Sequence, residues 1–174
     1  RTESMPPIPN CSPATSRSRV AWPLRAARNC QSFANARLWL MPQRQIVAWG
    51  STVNGVQDPL LLRWCEVQNF FNWVASPTTR AGQWRISTGS KIVAGLQMGQ
   101  QAIILTDISL HTMQYTGGQG VYSINEFATG CGLIARKAAA PLQGVLYWMG
   151  QKQFFRMSGG VAPLICPVWD VVFQ

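Results

Sequence analysis

Lys91-Ile92-Val93-Ala94-Gly95-Leu96, Ala102-Ile103-Ile104-Leu105-Thr106, Leu110-His111-Thr112-Met113-Gln114-Tyr115 and Val121-Tyr122-Ser123-Ile124-Asn125-Glu126-Phe127 follow one another with only turn residues between them. Short runs rich in β-branched and apolar residues, punctuated by glycine and polar turns, read as the four strands of one antiparallel sheet. Similar sets flank it on both sides, each about 35 to 50 residues long, the spacing of a propeller blade or a comparable repeat. A sheet with apolar residues on both faces cannot bury them alone, so each blade needs neighbours.

The preceding set begins with Arg37-Leu38-Trp39-Leu40-Met41, the turn Pro42-Gln43-Arg44, and Gln45-Ile46-Val47-Ala48-Trp49-Gly50, which predict a hairpin. A loop with the turn pairs Asn54-Gly55 and Asp58-Pro59 follows, then a strand over 60–67, an irregular stretch 68–82, and the strand Trp84-Arg85-Ile86-Ser87. The following set comprises a strand over 133–140, Gly144 to Met149, Gln153 to Met157, and Val161 to Ile165. Pro167 then opens either a short helix, with proline in its first turn, or a last edge strand. The expectation is all-β: an incomplete propeller of about three four-stranded blades over 36–88, 90–128 and 132–166, within one domain spanning 36–174.

Residues 1–35 differ in kind. Pro6, Pro7, Pro9, Pro13 and Pro23 lie among scattered Ser and Arg with neither strand nor helix period, which predicts an irregular basic arm. Residues 1–45 hold seven arginines against one acid, a net of +6, whereas residues 46–174 carry eight basic and five acidic residues, a net of +3. The blade region is therefore only mildly basic. Charged residues make up 12% of the chain, hydrophobic ones 47%, and there are eight tryptophans; this composition favours a folded chain with large contact surfaces over disorder. No apolar run approaches the roughly 20 residues of a membrane span, so none is expected. A charged-then-apolar leader is likewise not visible.

Catalysis finds little support. Asp58, Glu66, Asp107, Glu126 and Asp170 are scattered singly, and His111, the sole histidine, sits in an alternating strand where one structural hydrogen bond is the expected role. The five cysteines are far apart with no Cys-x-x-Cys pair, against a zinc site; Cys65 reads as a small buried hydrophobe. Gly117-Gly118 and Gly159-Gly160 lack the Lys-Ser/Thr of a phosphate loop and read as hairpin turns. No catalytic residue, metal or cofactor is expected, and the chain reads as a non-enzyme.

The order of motifs resembles a known family. Tyr147-Trp148-Met149-Gly150, followed by Phe154-Phe155-Arg156-Met157-Ser158-Gly159-Gly160 and Pro163-Leu164, is similar to a blade of phage tail proteins with the pattern V-Y-W-hydrophobic-G, then F-Y-x-Y-D-G-x-V-x-P-L. Arg37-Leu38-Trp39-Leu40, Asp58 through Cys65, Ser90 through Leu96, and Thr106 through Tyr115 match the order seen there. Over about residues 36–174 the chain resembles the propeller part of the tail hub, nozzle or packaged-DNA stabilisation proteins of short-tailed phages, often carried as prophage genes. The resemblance implies a structural protein of the virion tail, assembled in the bacterial cytoplasm. Its implied partners are further copies in a homo-oligomeric ring, adjacent tail or portal proteins, and DNA held without sequence preference. The family's chains are several times longer, so this chain would be part of a propeller.

Two sets of residues are candidates for contact. Arg80, Arg85, Arg136, Lys137, Lys152 and Arg156 sit in or beside turns and would touch DNA phosphates if loops at one rim lined a channel. Phe70, Phe71 and Trp73 fall in the irregular stretch, where aromatics mark a surface for a partner chain, or for a host-surface carbohydrate or protein in the alternative reading of a binding module. Trp39, Trp49, Trp64, Trp84 and Trp148 fall on strands and are expected to pack between sheets.

Overall fold

The computed structural model describes residues 37–53, 56–118 and 120–173. The predicted arm over 1–35 and the tip Asn54-Gly55 lie outside them. The first sheet holds β1 (Arg37–Leu40), β2 (Ile46–Trp49), β5 (Leu61–Trp64) and β6 (Gly82–Arg85), hydrogen-bonded in that order. The second is the up-and-down series β7 (Ile92–Met98), β8 (Gln101–Thr106), β9 (Ser109–Tyr115) and β10 (Tyr122–Thr129). The third repeats it with β11 (Ala139–Leu142), β12 (Val145–Met149), β13 (Phe154–Met157) and β14 (Val161–Leu164). Every pairing in them is antiparallel. The protein is all-β, and its described residues form three blades of a propeller-like stack that does not close.

Alternation along each strand explains the stacking. Val47 and Trp49 on β2, with Leu62 and Trp64 on β5, pack against Ala102, Ile104 and Met113 of the second sheet. The other face of that second sheet presents Ile103, Leu105 and Leu110 to Leu146, Trp148, Phe155 and Met157 of the third. Residues of opposite parity on β8 therefore serve two separate cores. Two tryptophans lie over glycines. A Cβ on Gly95 would come to 2.5 Å from the Trp39 ring, and one on Gly82 to 2.6 Å from the Trp64 ring. Strands β1 and β7 thus meet at Trp39 and Gly95.

The turns follow from local chemistry. Gln143 and Gly144 both adopt positive φ (49° and 80°) between the paired ends Leu142 and Val145, the two-residue turn whose twist suits a hairpin. Pro141 and Pro163 fall on β11 and β14, the edge strands of the third sheet, where a missing N–H costs no ladder bond.

Three features depart from expectation, and the choice left open after Pro167 is resolved. Residues 134–138 are bends and turns, and the strand expected over 133–140 starts only at Ala139. Leu133 is instead a buried anchor whose amide donates to the Thr106 carbonyl at 3.0 Å. The fourth strand of the first sheet starts at Gly82, because Trp64 pairs with Gly82 and covers it. The loop expected between β2 and β5 contains a small ribbon, β3 (Thr52–Val53) and β4 (Val56–Gln57). After Pro167 the chain forms the helix α1 (Trp169–Phe173), with no buried residue. No helix among the described residues is long and apolar enough to cross a membrane.

Candidate functional surfaces

The six candidate cations are dispersed. Arg80 ends the irregular segment after β5; its amide donates to Glu66 Oε2 (2.7 Å) and its Nη1 to the Tyr115 hydroxyl (2.9 Å), tying the first sheet to the second. Arg85 on β6 is ion-paired through Nε to Asp58 Oδ2 at 2.6 Å. Arg136 and Lys137 lie exposed in the turn before β11, Lys152 in the β12–β13 turn, and Arg156 on the exposed side of β13. The concavities separate them further. Arg80 lines one beside Thr78 and Gly117, Lys137 one beside Tyr147 and Leu164, and Lys152 one beside Asp107 and Phe155. Arg136 lines a fourth, of about 430 Å³, together with Lys91. No motif or spacing in the sequence singles out Lys91. It lies just before β7, 45 residues ahead of Arg136, and only the stacking of sheets brings the two to one groove.

The aromatic loop divides between interior and surface. Trp73 is buried against Ala48 and Cys65 on the outer face of the first sheet, with Phe70 packed on the same cluster. Its indole N–H donates to the Phe70 carbonyl (2.9 Å), and the Arg63 Nη2 donates to the Trp73 carbonyl (3.1 Å). Phe71 alone of the three is exposed, at 51%. Trp39, Trp49, Trp64 and Trp148 join the two inter-sheet cores as expected, but Trp84 on edge strand β6 is 52% exposed.

Both end sheets keep apolar residues on their outer faces. On the first, Leu38 and Leu40 share the face of Ala48 by register and are 46% and 60% exposed. On the third, Leu142, Val145, Tyr147, Met149, Phe154 and Leu164 share the face opposite Trp148. Leu142 is 62% exposed, and Phe173 of α1 meets this face at Phe154, ring centres 5.1 Å apart.

Two polar networks stitch the sheets. Gln45, fully buried, donates from Nε2 to the Cys65 carbonyl (2.8 Å) and the Arg80 carbonyl (3.1 Å), while its Oε1 accepts from the Tyr122 hydroxyl (2.8 Å). Burial holds that phenol protonated well above its ordinary range. The second network surrounds the β8–β9 turn. Thr106 Oγ1 and Ser109 Oγ lie 2.7 Å apart, and Ser109 Oγ meets His111 Nε2 at 2.9 Å. Burial lowers the His111 pKa, opposed by Glu126 across the strand pair. Ser109 is fully buried and His111 nearly so, so this serine–histidine contact faces packed protein.

Asp107, in the same turn, accepts from the Ser90 amide (2.8 Å) and hydroxyl (2.6 Å). Burial pushes its pKa up, but the bonds from Ser90 and Lys91 outweigh that and leave it below the ordinary carboxylate range. Cys65 and Cys131 are buried free thiols whose pKa burial raises. Among the described residues no group of three or more His, Cys, Asp or Glu side chains is placed to hold a metal.

Neither a protein-family model nor a curated protein matches the chain.

Proposed function

We propose that the chain is a structural component of a phage virion tail, part of a homo-oligomeric ring that guides or retains DNA. The observation that carries this reading is the unclosed stack with apolar outer faces on both end sheets, Leu38 and Leu40 on one and Leu142 with Leu164 on the other. Propeller blades are covered by further blades, and closure takes roughly four to eight of them. Three blades therefore need more, from further chain or from other copies, which agrees with the order of tail-protein motifs over residues 36–174. The role is non-catalytic; the serine–histidine contact serves to lock a turn.

The scattered cations suit loose phosphate contact better than a deep binding well, since a duplex that must slide is held by diffuse charge. The binding-module alternative is weakened because Phe70 and Trp73 are engaged in packing, leaving Phe71 exposed. Light scattering after size exclusion tests the assembly. A discrete oligomer that Leu142→Lys with Leu164→Lys dissociates into folded monomer is the expected result. A monomer at every concentration overturns the proposal. Retention on random-sequence duplex DNA that falls steeply with salt is expected of the DNA role, and retention with no salt dependence refutes it.

A further inference from the structure

All three sheets converge on one groove. Trp49 comes from the first, Gln57 from the β3–β4 ribbon inserted in it, Lys91 and Ile92 from the entry to β7 in the second, and Ile134 and Arg136 from the turn leading into the third. Its volume of about 430 Å³ is that of a small-molecule site rather than a water pocket. Two full positive charges line it and no carboxylate does. The two nearby acids are already engaged: Asp58, between lining residues Gln57 and Pro59, accepts from Arg85 Nε and from the Leu60 amide (3.0 Å), and Asp107 accepts from Ser90 and from the Lys91 backbone amide (3.4 Å). Among the described residues neither the Lys91 ammonium nor the Arg136 guanidinium has an ion-pair partner. A concave site lined by one sign of charge concentrates counter-ions, and a guanidinium and an ammonium lining the same groove suit a phosphate group, one as a planar fork and the other as a point charge.

We propose that this three-sheet groove binds a small phosphorylated molecule, its phosphate held between Lys91 and Arg136 and its body against Ile92 and Ile134. The shared chemistry is a phosphate monoester, carried by a nucleotide or by a sugar phosphate. The site is distinct from the assembly reading: a monomer that binds phosphate esters supports the groove even where the ring test fails.

Isothermal titration of the full chain with inorganic phosphate, a nucleoside monophosphate and a hexose phosphate tests it. Saturable one-to-one binding of at least one ester is expected, weakened about tenfold or more by Arg136→Ala and by Lys91→Ala, the loss of one charge-assisted contact each. Both side chains are exposed, so melting temperatures should stay unchanged. Lys152→Ala, in a different groove, should bind as the wild type does. The ester that binds more tightly than inorganic phosphate identifies the body. No binding of any of the three probes, or binding that survives both groove substitutions, overturns the proposal. So does charge-only binding, in which Lys152→Ala weakens affinity as much as Arg136→Ala.

Discussion

Replacing Gly132 with alanine should destabilise the protein far more than a single added methyl group does at an open turn. The residue precedes buried Leu133 in the crossing from the second sheet to the third. A Cβ at this position would stand 2.5 Å from the Ile108 amide nitrogen and closer still to the Asp107 carbonyl. Both obstacles are backbone, so no side-chain rotation relieves the clash. The two segments are also pinned by hydrogen bonds, Cys131 N–H to the Ile108 carbonyl (3.2 Å) and Leu133 N–H to the Thr106 carbonyl (3.0 Å). Forcing extra volume into a packed site costs about 1–3 kcal/mol, and stretching these bonds adds about 1 kcal/mol. A loss of about 3 kcal/mol follows, which for a chain of this size lowers the melting temperature by about 6–12 °C. Urea unfolding should show a lower midpoint at unchanged slope. Gly160→Ala is the control, since nothing lies within 4 Å of the added carbon. A Gly132→Ala variant that melts within about 2 °C of wild type would refute the close-approach argument.

Gln45→Ala should cost about 2 kcal/mol by orphaning the buried Tyr122 hydroxyl, and Tyr122→Phe in that background should recover part of the loss, read from urea midpoints. Because burial lowers the His111 pKa, the unfolded chain takes up a proton first on acidification. Stability should therefore fall as pH drops below about 6.5, and His111→Asn should flatten that limb of the curve. Asp107, with a depressed pKa, contributes stability present above its unfolded value and lost only in stronger acid; Asp107→Asn should remove that lower step. A thiol reagent followed by peptide mapping should leave Cys65 and Cys131 unlabelled in the native protein and label both in denaturant, since each is buried with a raised pKa.

The four strands of the second sheet were legible because their apolar residues alternate or run continuously between unambiguous turns. The first sheet was legible except where pairing across sequence decided a boundary. Nothing local to Gly82 announces that Trp64, eighteen residues earlier, will lie across it and start the strand there. The run from Leu133 to Ala140 misled for a related reason: apolar residues can stop a chain against another sheet as readily as they extend it, and Leu133 does the former. The aromatic loop carried a real signal of contact, but the surface it met was its own sheet, through Ala48 and Cys65. The groove of Lys91 and Arg136 left no trace in spacing, because it exists only once three sheets stand side by side.

The second sheet is a wall shared by two rooms. Ile104 and Met113 furnish one core, Ile103 and Leu110 the other, and no buried residue belongs to both. Loss of either outer sheet would leave a pair with one intact interior, whereas disruption anywhere in β8 or β9 empties both at once. Mild denaturation should therefore shed an end sheet before the rest, and hydrogen exchange should be slowest at the amides of β8 and β9.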